Sequence, residues 1–248
     1  MSINNVSKFS FVFIGKLISA GLQAFFYLMF AAILSPELFG NLSYFIAIAS
    51  TFSMIARFGS NQTITVFQAK GENTLANQLN TVVIIFTTII SIFLLSIDYF
   101  VALLCFATTI FIMNIHNLIG LKHYKKYMMV DILKGGLIIA IPISLYFLLD
   151  IPGILLGIAI SYLIPSFTFL KFFNFNNSMW KSLAKRYKIL LNNFGVDVSQ
   201  RAPRLVDKLI ILPILGFTSL GIYQFNFQIL IAIEIIPLAL HSFLLSEE

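Results

Sequence analysis

Charge is what this sequence has least of. Only 10% of its 248 residues are Asp, Glu, Lys or Arg, against roughly 25% in an ordinary soluble domain. With 59% hydrophobic residues, 27 Phe and a mean hydropathy of +0.94, that scarcity excludes a soluble globular domain and predicts an integral membrane protein. Cysteine is nearly absent. The single Cys105 lies in an apolar run and reads as a small buried hydrophobe, which excludes an internal disulfide and any multi-cysteine metal site. The three histidines, His116, His123 and His241, show no metal-ligand spacing and read as interfacial residues near the ends of apolar segments, so no metal or cofactor is expected. The first apolar stretch is too long for a cleavable signal peptide, and no small-residue cleavage site precedes Ser35.

What is there is a series of apolar segments near 9–34, 38–58, 79–97, 99–117, 129–149, 153–173, 190–215 and 219–241, each close to the ~20 residues a bilayer requires. The expected fold class is all-α, a polytopic membrane helix bundle of about eight transmembrane helices. Four breaks are short and hold no Lys or Arg: Ser35-Pro36-Glu37, Asp98, Asp150–Gly153 and Gly216–Ser219. The alternate breaks are longer and basic, with Arg57 and Lys70, then Lys122, Lys125 and Lys126, then Lys171, Lys181, Lys185, Arg186 and Lys188. The positive-inside rule then predicts a multi-pass protein of the cytoplasmic membrane with both termini in the cytoplasm. It accounts for the net charge of +6 without nucleic acid, and no basic or aromatic soluble domain is present to bind one. Within the last basic break, Phe175, Met179, Trp180, Leu183 and Tyr187 recur at helical spacing among lysines. Two readings stand there, a helix in the headgroup layer and an ordinary basic loop.

Charges inside apolar segments are expensive in hydrocarbon and therefore informative. Lys16 and Gln23 fall in the first segment, Lys16 close enough to its end to snorkel, and Glu234 in the eighth. The seventh carries five: Asp197, Arg201, Arg204, Asp207 and Lys208. At ~100° per residue, Asp197, Arg201, Arg204 and Lys208 fall within about 60° of one another, with Asp207 beside them. Such a stripe faces a bundle interior or a water-filled cavity. It reads either as a binding surface or as locked pairs, Asp197 with Arg201 and Arg204 with Asp207. Pro142, Pro165, Pro203, Pro213 and Pro237 are potential kinks.

A repeat is visible at an offset of 181 residues. Ile33-Leu34-Ser35-Pro36-Glu37-Leu38-Phe39-Gly40 aligns without gaps to Ile214-Leu215-Gly216-Phe217-Thr218-Ser219-Leu220-Gly221; each leaves a helix, turns, and enters the next past an apolar-Gly pair. Transporters are commonly built from such repeats with the substrate between them. The expected organisation is a six-helix lobe with its basic cytoplasmic linker over 1–178 and the first two helices of a second, incomplete lobe over 179–248, with a missing second-lobe polypeptide as an implied partner.

The segment Leu34-Ser35-Pro36-Glu37-Leu38-Phe39-Gly40, the run Arg204-Leu205-Val206-Asp207-Lys208-Leu209-Ile210-Ile211, and Leu215-Gly216 followed by Leu220-Gly221-Ile222-Tyr223 resemble the polysaccharide and lipid-linked oligosaccharide flippases of the multidrug/oligosaccharidyl-lipid/polysaccharide exporter superfamily. The likeness runs along the whole chain in helix order, including the basic stretch Leu121–Tyr127; members of that superfamily have twelve or fourteen spans in two lobes. The resemblance implies an alternating-access transporter, not an enzyme, moving a polyprenyl phosphate- or pyrophosphate-linked oligosaccharide across the membrane for polysaccharide biosynthesis. Arg201, Arg204 and Lys208 would bind the anionic head, since Arg forks match phosphate oxygens. Asp197, Asp207 and Glu234 would pair with those charges or couple transport to an ion. The alternatives are a multidrug exporter of the same superfamily, a non-transporting membrane or assembly subunit, and a membrane-embedded glycan enzyme. Such an enzyme needs clustered carboxylates or a large external loop that this sequence lacks.

Overall fold

The computed structural model describes the backbone of residues 3–174 and 184–247, and side-chain surroundings for 11–174, 184–231 and 233. The described residues are helical throughout: α1 (Ile3–Ile33), α2 (Pro36–Arg57), α3 (Ser60–Ala69), α4 (Asn73–Leu94), α5 (Tyr99–Gly120), α6 (Tyr124–Leu163), a 3-10 segment (Ile164–Phe172) and α7 (Tyr187–Glu247). Among them, six stretches are long and apolar enough to cross a membrane. Two of the six are far longer than a ~30 Å hydrocarbon core needs, at 49 residues (Tyr124–Phe172) and 45 residues (Tyr187–Ile231). Each is interrupted at a residue the sequence marks as a break: Asp150 (φ 53°) in α6 and Gly216 (φ 78°) in α7.

The ends of the helices follow from local chemistry. The Ser35 hydroxyl accepts from the Leu38 N–H at 3.3 Å, with Pro36 pre-set for the first helical turn and Glu37 at the positive end of the α2 dipole. Asp98 accepts from the Phe100 and Val101 N–H groups at 2.8 and 2.9 Å and starts α5. After Asp150, Gly153 packs so tightly on the preceding turn that a Cβ there would stand 2.1 Å from the Leu145 carbonyl oxygen, so the chain reverses sharply at that point.

One expectation is corrected here. The basic break between the apolar segments 38–58 and 79–97 is expected to hold no spanning segment and is assigned no helix, yet after Phe58 and Gly59 (φ 44° and 72°) the chain resumes as α3 over Ser60–Ala69. The polar-rich sequence Ser60-Asn61-Gln62-Thr63 hid this helix because its polar groups face protein, not water: Ser60, Asn61 and Thr63 are all buried. The amphipathic residues Phe175, Met179, Trp180, Lys181 and Leu183 lie outside the described residues, as do the side chains of Glu234 and His241.

Packing divides the core in two. Phe26, Phe30, Phe39, Leu42, Leu104 and Ile154 belong to a cluster shared by α1, α2, α5 and α6; Ile64, Leu79, Val83, Met113 and Phe169 form a second among α3, α4, α5 and the 3-10 segment. α1 lies along α6, and α2 has its most extensive interface with α7.

Candidate functional site

The α2–α3 break is docked onto the start of α7. A Cβ at Gly59 would lie 2.3 Å from the Phe194 nitrogen and 2.5 Å from the Leu190 carbonyl oxygen, and the rings of Phe58 and Phe194 stack at 4.7 Å. This close approach brings α3 against the first third of α7. Asn193 donates to Thr63 Oγ1 at 2.8 Å, and Asn61 donates to Asp197 Oδ1 at 3.3 Å.

Asp197 is 1% exposed and also receives Arg201, whose Nε stands 3.4 Å from Oδ1. The expected i, i+4 pair is therefore present. A third charge joins it that the sequence reading had assigned to a basic loop. Arg57, the last residue of α2, is 1% exposed; its guanidinium donates to Ser53 Oγ, which shares a 2.9 Å hydrogen bond with Thr109. Arg57 is within electrostatic reach of both Asp197, which favours its charge, and Arg201, which opposes it. His116, half-buried in the last turns of α5, hydrogen-bonds Thr65 of α3 at 2.9 Å.

The cluster thus holds one Arg201–Asp197 ion pair with a second arginine, Arg57, within electrostatic reach of it. Arg57 Nε, Asn61 Oδ1 and Asp197 Oδ2 are buried without a hydrogen-bond partner among the described residues. Buried polar groups are nearly always satisfied. One unspent donor and two unspent acceptors mark a place where a polar group or water can be taken up.

The rest of the stripe disperses. Lys208, buried, points its ammonium at the Phe227 ring, 5.6 Å from the centroid, while Asp207 accepts from the Tyr223 hydroxyl at 2.7 Å. Both contacts tie the arm of α7 before Gly216 to the arm after it. Arg204 is exposed between these groups and the Asp197 cluster. Four of the five stripe residues therefore divide into a pair beside α3 and a latch within α7, with Arg204 between them.

A second buried charged cluster was not anticipated. Asp131 and Lys134 of α6 are 9% and 5% exposed and lie 3.7 Å apart. Ser19 donates to Asp131 at 2.9 Å and Tyr127 at 3.3 Å; Lys134 reaches Gln23 at 3.4 Å and sits over the rings of Phe111 and Tyr162 at 5.6 and 5.9 Å. Here the lysine is enclosed and its carboxylate partner well satisfied, so the cluster reads as a neutral pair joining α1 to α5 and α6. The signal available in the sequence was Asp131 and Lys134 at i, i+3 inside an apolar segment.

No protein-family model matches the sequence, and no curated protein matches it. Three solved structures share its fold. One is a multidrug resistance MATE family transporter of the MOP superfamily in its outward-facing conformation, at 18% identity, TM-score 0.51, covering 95% of this chain and 71% of that one. Another is a MATE protein in complex with Br-NRF, at 16% identity, TM-score 0.54, covering 96% and 76%. The third is a MOP superfamily transporter from Pyrococcus furiosus, described by the reverse polarity of its binding pocket, at 17% identity, TM-score 0.50, covering 92% and 68%. The chain is a polytopic helical membrane protein with the fold of MATE and MOP superfamily transporters.

Proposed function

We propose that this chain forms the substrate-binding part of an alternating-access transporter for an anionic, lipid-linked oligosaccharide. It would cross the membrane eight times, α6 and α7 each making two passes on either side of Asp150 and Gly216, with both termini on the Lys/Arg-rich cytoplasmic side. The observation that carries the substrate class is the burial of Arg57 within electrostatic reach of the buried Asp197–Arg201 pair, with the Arg57 Nε donor unspent. A phosphate or pyrophosphate head suits that balance because an arginine fork matches its oxygens and the surplus positive charge offsets the cost of desolvating the anion. Arg57 and Arg201 would contact the head, while Asp197 and Asn61 would hold them in place; Arg204 and Lys208 would extend the cationic path along α7.

The multidrug reading is favoured by a different observation, the fold shared with a multidrug resistance transporter and a MATE–Br-NRF complex. Cationic drugs would meet net repulsion at the Arg57–Arg201 cluster, which supports the anionic reading. The test is equilibrium binding to the purified chain of an undecaprenyl pyrophosphate-linked sugar and, separately, of a cationic dye such as ethidium. Saturable binding of the anion, weakened about tenfold or more by Arg201→Ala and by Arg57→Gln, as expected for a lost charge-assisted contact, supports the proposal. Binding of ethidium but not of the anion overturns it in favour of drug export.

A further inference from the structure

On the outer side of the α2–α7 contact lies a groove unrelated to the charged cluster. Its volume is about 480 Å³, and its walls come from Ile55 of α2, Phe58 of the α2–α3 break, Leu79, Val83 and Ile90 of α4, and Leu190 of α7. Apart from Ser60 and Tyr187, every residue lining it is apolar. Ile55, Phe58 and Phe86, which also lines it, are between 43% and 47% exposed, so the groove opens outward. Along α4 it runs from Leu79 to Ile90, about 16 Å at 1.5 Å per residue, which matches the ~15 Å thickness of one hydrocarbon leaflet.

Its two ends differ in charge. The Ile90 end is wholly apolar. At the other, Ala184 and Tyr187 line the groove, and the intervening and flanking residues are Lys185, Arg186 and Lys188. Arg186 is engaged, reaching Glu72 at 2.5 Å and lying over the Phe67 ring at 5.1 Å. Lys185 and Lys188 are exposed. An apolar slot one leaflet long, flanked in sequence at one end by two exposed lysines, is complementary to an amphiphile with a negatively charged head.

We infer that this groove is a binding site for an anionic phospholipid of the adjacent leaflet, one acyl chain lying between α2 and α4 and the phosphate meeting Lys185 and Lys188. The lipid spans the seam between the α2–α3 break and the start of α7, the same junction that Gly59 closes on its inner side. It therefore braces that junction from the membrane face.

The experiment is native mass spectrometry of the full chain released from micelles doped with phosphatidylglycerol, phosphatidylcholine or undecaprenyl phosphate. Phosphatidylglycerol should be retained over phosphatidylcholine by a ratio that falls about fivefold for each lysine removed, in Lys185→Gln and Lys188→Gln, the size of one basic residue's attraction to an anionic lipid. Ala184→Trp and Ile90→Trp, which fill the groove at its two ends, should reduce retention of both phospholipids while far-UV circular dichroism stays unchanged. Equal retention of the two phospholipids, or retention undiminished in both tryptophan variants, overturns the assignment. Retention of undecaprenyl phosphate without phosphatidylglycerol also overturns it, and gives the groove to a polyprenyl chain. Because Arg57 and Arg201 lie outside the groove, loss of pyrophosphate-sugar binding in their variants with phosphatidylglycerol retention intact separates failure of this site from failure of the transport reading.

Discussion

Gly40 of α2 and Gly221 of α7 meet back to back, each occupying the space the other leaves. A Cβ on Gly40 would stand 2.0 Å from the Phe217 carbonyl oxygen, and one on Gly221 would stand 1.9 Å from the Pro36 carbonyl oxygen. The contact is reciprocal in sequence as well: Pro36 and Gly40 correspond to Phe217 and Gly221 at the same offset that relates the two repeated turns. Small residues are what allow two membrane helices to approach this closely, since packing and not the hydrophobic effect drives their association in lipid.

Gly40→Ala and Gly221→Ala should each destabilise the protein strongly, by about 2 kcal/mol or more, because the added methyl meets backbone and not a movable side chain. Both act on one crossing, so the double variant should cost clearly less than the sum of the singles. Denaturant titrations in micelles check this. Additive losses would mean that the two glycines serve separate contacts.

Asp197 balances two cations, and this makes its removal unlike that of Arg201. Without Arg201, Asp197 keeps Asn61 and the nearby charge of Arg57; without Asp197, a buried Arg57 loses the carboxylate that favours its charge. Asp197→Ala should therefore cost about 3 kcal/mol or more, and Arg201→Ala, a half-exposed partner, about 1 kcal/mol or less. The double variant Arg57→Leu with Asp197→Leu should recover much of the Asp197→Ala loss. A larger loss in Arg201→Ala than in Asp197→Ala would show that Arg57 does not depend on this carboxylate.

The fold was legible wherever a break is written in special residues. The Ser35-Pro36 cap, the Asp98 cap, the Asp150–Gly153 reversal and Gly216 each ends or interrupts a helix where the sequence marks one. α3 was not legible, because its hydrophilic residues mimic a loop until their partners on α5 and α7 are known. The candidate site was half legible for the same reason. Helical periodicity put Asp197 and Arg201 on one face, but periodicity identifies a face and not what packs against it. Arg57, Asn61, Tyr223 and Phe227 come from turns and helices whose approach only tertiary packing decides. Lys208 shows the limit plainly: on the stripe by spacing, it is folded onto an aromatic ring within its own helix pair.

The second buried pair predicts an asymmetry of its own. Asp131 has two hydroxyl donors besides Lys134, whereas Lys134 has Gln23 and two ring faces besides Asp131. Lys134→Met should be tolerated, costing about 1–2 kcal/mol, because Ser19 and Tyr127 still satisfy the carboxylate. Asp131→Leu should cost about 3–5 kcal/mol by stranding a buried ammonium, and adding Lys134→Met should restore part of it. Thermal unfolding of the three variants reads the order. Equal losses in the two singles would point to a cluster held by packing alone.

The last prediction concerns the junction of α3, α4 and α5, where Asn117 serves as a hub. Its amide oxygen accepts from Gln68 at 2.9 Å and from Asn80 at 3.1 Å, and its amide nitrogen donates to Asn80 at 3.0 Å and to the Met113 carbonyl at 2.8 Å. All three side chains are buried, Asn80 and Asn117 completely. Asn117→Leu leaves two amides without their partner in a setting where each unmade bond costs about 1–3 kcal/mol, so a loss of about 3 kcal/mol is expected. Asn80→Leu removes both of its bonds to Asn117 but leaves the Asn117 oxygen bonded to Gln68 and its nitrogen to the Met113 carbonyl, and should cost less. Replacing Gln68, Asn80 and Asn117 together by Leu, Val and Leu removes every group the network must satisfy, and should return stability toward that of the parent. Failure of the triple substitution to recover any of the Asn117→Leu loss would show that the network's geometry, and not its satisfaction, holds α3 against α4 and α5.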